Sequence, residues 1–348
     1  MSTARRTHPN TSKLILLSAT LVLIHPGGAS AQERGFMLGA GTVGIGIGDV
    51  PRVDGLRLNF RDRYLERIRG VNVTVWTPHD DADGIVQGLA LGLPLGGAAE
   101  IRGLALGAGI AVEREFSGLG VTPLGMGAGE DLRGIVLAGI GAGAGGDVDG
   151  LMLGGVGIGA GGDIRGIAIG GIGAGAGGDL TGLGIGGIGI GAGGDVTGML
   201  VGGVGVGAGG RVRGITIGGI GVGAGGDLTG LAVAGVGLGV GGELKGLAIS
   251  GVGVGASSFA GLVITGVGAG AGEGTGFVLA PAYFRIEEDG RFTGVSVSAF
   301  NHIGGRQHGL VIGLLNIAEE LHGLQIGLIN IARNKDRFPV LPILNYHR

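Results

Sequence analysis

The chain has 348 residues, 90 of them Gly, with no Cys and a formal net charge of −3. Disulfides are therefore excluded, and the mild acidity argues against nucleic acid as a partner. Collagen would need Gly at every third position, elastin-like disorder would need Pro where none lies between Pro123 and Pro281, and Ile, Val and Leu at fixed places argue for ordered β structure.

Residues 1–31 read as a secretory signal peptide. Arg5, Arg6 and Lys13 form a basic start, Leu14 to Ile24 an apolar run too short to span a bilayer, and Ala29-Ser30-Ala31 a cleavage site. Its removal leaves 21 Lys and Arg against 27 Asp and Glu, a net charge of −6, and no cysteine to carry a lipid. Residues 32–54 follow as an N-terminal cap. Within them Gly39-Ala40-Gly41-Thr42-Val43-Gly44 matches the dinucleotide pattern G-x-G-x-x-G, but no helix pattern follows, so no cofactor is expected.

A landmark Gly then opens each unit. Gly55, Gly70, Gly84, Gly103 and Gly118 mark irregular coils of 14 to 19 residues over 55–133, with a loop expected at Leu93-Pro94-Leu95. From Gly134 to Gly246 one 16-residue phrase is repeated seven times, as in GLMLGGVGIGAGGDIR from Gly150 to Arg165, and the regular block covers 134–261. Such a period points to stacked units that bury apolar surface against their neighbours. Leu151 and Leu153 are the apolar phase of a strand-like alternation with Met152 and Gly154. The phase flips at Gly154-Gly155, Val156, Ile158 and Ala160 continue the apolar series, and Gly161-Gly162-Asp163 is a second turn.

Two short strands and two bends predict one coil of an all-β, parallel β-solenoid with coils of about 14–16 residues. The alternative is an outer-membrane β-barrel. Its strands alternate in direction, so its period is a hairpin of about 20 or more residues with two kinds of turn. Here every 16 residues end in the same GGD-type turn, and Val121 to Ser258 contains no aromatic residue for a membrane girdle. Gly261, Gly276, Gly294, Gly309 and Gly323 continue the coils over 262–333, with a loop at Glu287-Glu288-Asp289. These landmarks, at about 4.8 Å per coil, predict a rod roughly 85 Å long. Its ends need covers, assigned to residues 32–54 and to a C-terminal cap at 334–348 with Pro339 and Pro342.

Stacking turns equivalent positions into columns. One turn column reads Asp131, Asp147, Asp163, Asp179, Asp195, Arg211, Asp227, Glu243. Carboxylates about 5 Å apart make Asp147, Asp163, Asp179 and Asp195 candidates for Ca²⁺, although the unit differs from nonapeptide Ca²⁺ repeats. Turn formation, with Arg211 paired to Asp195 and Asp227, is the alternative. Two residues on, Arg133, Asp149, Arg165, Thr181, Thr197, Arg213, Thr229 and Lys245 form a mixed polar face. Its threonines are similar to those of ice-binding solenoids, but Arg and Lys interrupt them. His308 and His322, one 14-residue coil apart, are expected to stack near Glu319, Glu320 and His302, a second candidate metal site. Asn316 and Asn330 recur at one place in successive coils and are expected to bond as a ladder. No Walker A sequence, Ser/His/Asp order or nucleophilic Cys is present, so no catalytic or cofactor-binding residue is assigned.

GLQIGLINIA from Gly323 to Ala332 resembles the GLQxGLxN repeats of a bacterial surface-repeat family of exported proteins whose molecular function is unknown. The chain is also similar to uncharacterised exported Gly-rich proteins with GxxIGGxGxGAGGDLxG units and a PVLPILN-type tail, here Pro339 to Asn345. AIGG at Ala168 to Gly171 is similar to the AIG repeats of trimeric adhesin heads, without their heptad stalk. The resemblance covers most of the chain after the signal, implies a surface or outer-envelope location, and brings no catalytic residues. The sequence therefore reads as a non-enzymatic exported protein, a structural or adhesive element of the bacterial surface. The sequence does not identify a partner; envelope or surface polymers, and further copies of itself, are the candidates. A membrane channel and a carbohydrate-active β-helix are the alternatives. Specific recognition is expected where the repeat breaks, at Arg57 to Asp83, Ala280 to His308 or the C-terminal cap.

Overall fold

The computed structural model describes residues 24–25, 35–78 and 83–348. The expected signal peptide lies outside these, apart from Ile24–His25, a two-residue strand against Met37 and Leu38. The described chain is a parallel β-solenoid of about 17 turns without helix. Each regular coil has a seven-residue and a four-residue strand, such as Ile164–Gly170 and Gly173–Ala176. Each strand pairs in parallel with its counterpart one coil on. Gly150, Gly166 and Gly182 align in the long-strand sheet, and Gly157, Gly173 and Gly189 in the short-strand sheet. Parallel neighbours rule out the β-barrel alternative, whose adjacent strands must run antiparallel.

One glycine per coil sets this register. The column running from Gly44 through Gly150 and Gly166 to Gly323 has positive φ throughout, 121° at Gly150 and at Gly166. A Cβ on Gly182 would collide with the carbonyl oxygen of Gly166 in the preceding coil. Only glycine meets both demands, which is why the same residue opens every unit. The column passes through Gly88, not Gly84, since Gly70, Gly88 and Gly103 align. In a chain this rich in glycine, spacing does not separate those two candidates. The long interval is therefore Gly70 to Gly88, and Leu93-Pro94 is an ordinary corner between Ile85–Gly92 and Leu95–Ala98. Glu287-Glu288-Asp289 does form a loop, between Tyr283–Ile286 and Arg291–Val297.

The core is thin. In one coil Val148, Met152, Ile158 and Ala160 face inward, and Met152 is fully buried. Leu151 and Leu153 stand on the opposite phase and face outward, which corrects the expectation drawn from their apolar character. Core volumes compensate across the coil. Gly184 faces Ile190 and Gly120 faces Met126, whose Sδ would lie 2.7 Å from a Cβ at position 120. Phe259, Phe284 and Phe292 fill the later coils, with ring centroids 5.0 Å apart for Phe284 and Phe292.

Towards each end the interior becomes polar. Arg57, Asp62 and Asn72 are buried together, Arg57 ion-paired to Asp62 and donating to Asn72 Oδ1 at 3.2 Å. Near the other end the amide ladder expected of Asn316 and Asn330 is present and longer. Asn301 donates to Asn316 (2.8 Å), Asn316 to Asn330 (2.7 Å), and Asn345 to the carbonyl of Asn330 (3.3 Å). Among the described residues, antiparallel pairing occurs only at the ends. A hairpin of Gly35–Ala40 and Val43–Gly48 lies on the first coil, and Val340–His347 lies on Leu315–Ala332. The G-x-G-x-x-G segment is the turn of that hairpin.

Candidate functional site

The strand pleat places the residues one and three positions after each column glycine on the outside. From Ile45 and Ile47 to Leu324 and Ile326 these positions hold only Ile, Leu, Val, Met or Phe. The inward residue between them is less restricted: Arg57, Asn72, Gly184, Thr216 and Gln325 all occupy it. A third outward column follows at the corner between the two strands. Ile140, Ile172 and Ile188 there are 53%, 51% and 54% exposed. Each corner amide donates to the preceding coil, as Ile172 does to the Val156 carbonyl at 2.7 Å, so these side chains are held in line. Between the second column and the corner runs an open groove of about 690 Å³, lined by Val121, Leu137, Leu153, Ile169 and the corner glycines Gly139, Gly155 and Gly171.

The short-strand face is the opposite in character. Its outward positions are Gly from Gly125 and Gly127 to Gly268 and Gly270. A Cβ at Gly159, Gly207, Gly223 or Gly239 would meet open space, whereas one at Gly141 or Gly173 would lie 2.7 or 2.8 Å from the next coil's carbonyl oxygen, so packing demands glycine at only part of this face. The bare face ends where Tyr283 and Arg285, then Phe300 and His302, take the outward places.

The third surface is the charged turn edge, and it explains the aspartates. The amide of Asp163 donates to Asp147 Oδ1 (2.8 Å), that of Asp179 to Asp163 (2.8 Å), that of Asp195 to Asp179 (2.7 Å) and that of Arg211 to Asp195 (2.7 Å). One carboxylate oxygen of each is thus engaged in bracing the next coil. The other oxygen of Asp147 accepts from Arg165 at 2.8 Å. The Asp163 amide first, then the Arg165 guanidinium, hold the Asp147 carboxyl below its usual range, and the Arg211 amide and side chain do the same for Asp195. Arg211 pairs with Asp195 at 2.9 Å, and no ion pair to Asp227 is present among the described residues. Its guanidinium accepts nothing, so the ladder breaks there and resumes where the Glu243 amide donates to Asp227 Oδ1 at 2.9 Å.

His308 and His322 stack as expected, centroids 5.1 Å apart and 16° between planes, with His347 of the cap strand 6.4 Å beyond. Burial first, then the neighbouring His322, pushes His308 below the ordinary imidazole value. Glu320 is paired with Arg306 (2.8 Å) and Glu319 with Arg333 (2.6 Å), while His302 stacks on Phe300 instead. No group of three His, Asp or Glu placed to hold a metal is found among the described residues.

The aliphatic face is the feature that sequence reasoning missed. Its signal was present: two positions that never turn polar, flanking one that does. Compared with known proteins, the chain matches no family model, no curated protein and no solved structure.

Proposed function

We propose that this protein is a non-enzymatic rod of the bacterial surface or outer envelope, a structural or adhesive element that works by presenting its aliphatic face to a partner. The continuity of that face carries the reading. The three columns over about 17 coils, at about 4.8 Å per coil and 3.3 Å per strand residue, span roughly 80 by 15 Å, on the order of 1,200 Å². The largest apolar patch of a soluble monomer is about 300–600 Å². Stacking fixes every side chain of the face at one repeat distance, so the surface is rigid and costs little ordering entropy on binding. Export and surface location are supported by the signal-like residues 1–31 and by the likeness of Gly323 to Ala332 to surface repeats.

The test is envelope fractionation of the wild type beside a variant carrying Ile167→Lys, Leu183→Lys and Ile215→Lys. These outward positions are 38% exposed at Ile167 and at Ile215, so the coil tolerates the charges without burying them. The wild type is expected in the envelope fraction and the variant, still folded by circular dichroism, in the soluble fraction. Equal retention of both would refute the role of the face, and turnover of a polysaccharide would refute the non-enzymatic reading.

A further inference from the structure

We propose that the partner on the aliphatic face is a second copy of this chain, packed face to face about a two-fold axis. The inference rests on the reading of that face as a docking surface and names its occupant: the paired rod is then the form the envelope retains, and the charged variant is lost from it because it cannot pair.

Area is the first argument. On the order of 1,200 Å² from each copy gives roughly 2,400 Å² in total, above the ~1,600 Å² of a standard complex and within the range of obligate homodimers. Self-complementarity is the second. An isologous interface sets one patch against itself, so its ridges must fit its own grooves at its own spacing. Here the corner ridge of Ile140, Val156 and Ile172 runs beside the groove floored by Gly139, Gly155 and Gly171, both repeating once per coil. Two such sheets with parallel or antiparallel axes share one repeat of about 4.8 Å and stack about 10 Å apart, so every coil finds the same fit as its neighbour.

Charge and composition are the third argument, and they decide against a lipid surface. The turn edge carries the column from Asp131 to Glu243, acidic except at Arg211. The exposed Trp76 stands at a corner near one end of the face, and the stretch from Val121 to Ser258, its middle, offers no Trp or Tyr to sit at a headgroup boundary. An anionic leaflet would repel the column and find no anchor in that stretch. A second copy presents apolar side chains to the face, nearly all of them aliphatic, and keeps the charged edge of each copy in water.

The experiment is sedimentation equilibrium of the full chain, with flotation on phosphatidylcholine–phosphatidylglycerol vesicles run in parallel. Three proteins are compared: the wild type, the aliphatic-face variant Ile167→Lys, Leu183→Lys and Ile215→Lys, and a bare-face variant Gly207→Lys, Gly223→Lys and Gly239→Lys with the same added charge. The expected result is a dimeric wild type, an about two-fold lower mass for the aliphatic-face variant, and an unchanged dimer for the bare-face variant, all with equal β circular dichroism. A monomeric wild type overturns the dimer. So does a dimer that the aliphatic-face charges leave intact, or one that the bare-face charges dissolve. A monomeric wild type that floats with vesicles while the aliphatic-face variant does not overturns the dimer alone, because the face then docks on lipid. A wild type and variant that are both monomeric, unbound to vesicles and alike in envelope fractionation overturn the dimer and the docking face together.

Discussion

On the long-strand face each coil sets out Leu151, Leu153 and Val156 or their equivalents, whereas on the short-strand face Gly157 and Gly159 set out nothing. Both faces meet solvent, and both come from the same sixteen residues. Folding alone does not ask for the whole of this division, since Cβ atoms have room at Gly159 and Gly223, though not at Gly141 or Gly173, and outward positions of a sheet ordinarily carry polar residues. Polar residues stand inside instead, at Arg57, Asn72 and Thr216. The contrast teaches that the outside of this rod is under a tighter chemical restriction than its inside, which is what a docking face requires.

The comparison also separates two kinds of glycine, and substitution breaks them apart. The largest effect is expected at the column glycine. Gly182→Ala puts an L-residue at φ 125° and drives its Cβ into the Gly166 carbonyl, so it should cost about 3 kcal/mol or more and lower the urea midpoint or the yield of folded protein. A midpoint equal to that of the wild type would remove the physical basis of the register. Next comes the buried ladder. Asn316→Leu leaves Asn301 and Asn330 without their partners and should cost about 2 kcal/mol. Because each coil contacts only its neighbours, hydrogen exchange should accelerate beyond Phe300 and stay unchanged around Gly182. Uniform acceleration would mean that the rod folds as one unit.

A smaller effect is expected from pH. His308 has a lowered folded value, so its unfolded form binds more protons as pH falls through 6.5, and the last coils should lose stability below that point. Asp147 and Asp195 have lowered folded values too. Their contribution is present above the usual carboxylate range and is lost only as pH falls below it, so the middle coils should outlast the C-terminal ones on acidification. Exchange rates of Val340–His347 between pH 7 and 5 measure this, and His308→Gln should flatten the dependence. The smallest effect belongs to the bare face. Gly223→Ala should be neutral or stabilising by about 0.5 kcal/mol, through the unfolded chain's lost freedom. A loss comparable to that of Gly182→Ala would show that the bare face is needed for folding after all.

Much of this was legible along the chain. Identical GGD turns implied coils running one way, and the parallel pairing of Gly150 with Gly166 follows from them. The stacked His308 and His322 and the Asn316 to Asn330 bond followed from spacing alone, because a coil brings residues one period apart to the same place. Gly84 was indistinguishable from Gly88, since a sequence records that glycine recurs and not which glycine has positive φ. The Asp147 to Asp195 column was legible as acidic; that its oxygens accept amide protons from the next coil depends on where the turn directs each N–H.

The sequence by itself determined the period, the parallel direction and the columns, because each is a matter of recurrence. Tertiary structure decided which phase of the strand faces in. Leu151 and Met152 are both apolar, so alternation offers two equivalent phases. Closing sixteen residues into a coil leaves room inside for one of them, the more variable phase of Met152, Ala168 and Gly184. The other phase, richer in Leu and Ile, is turned outward as a continuous face.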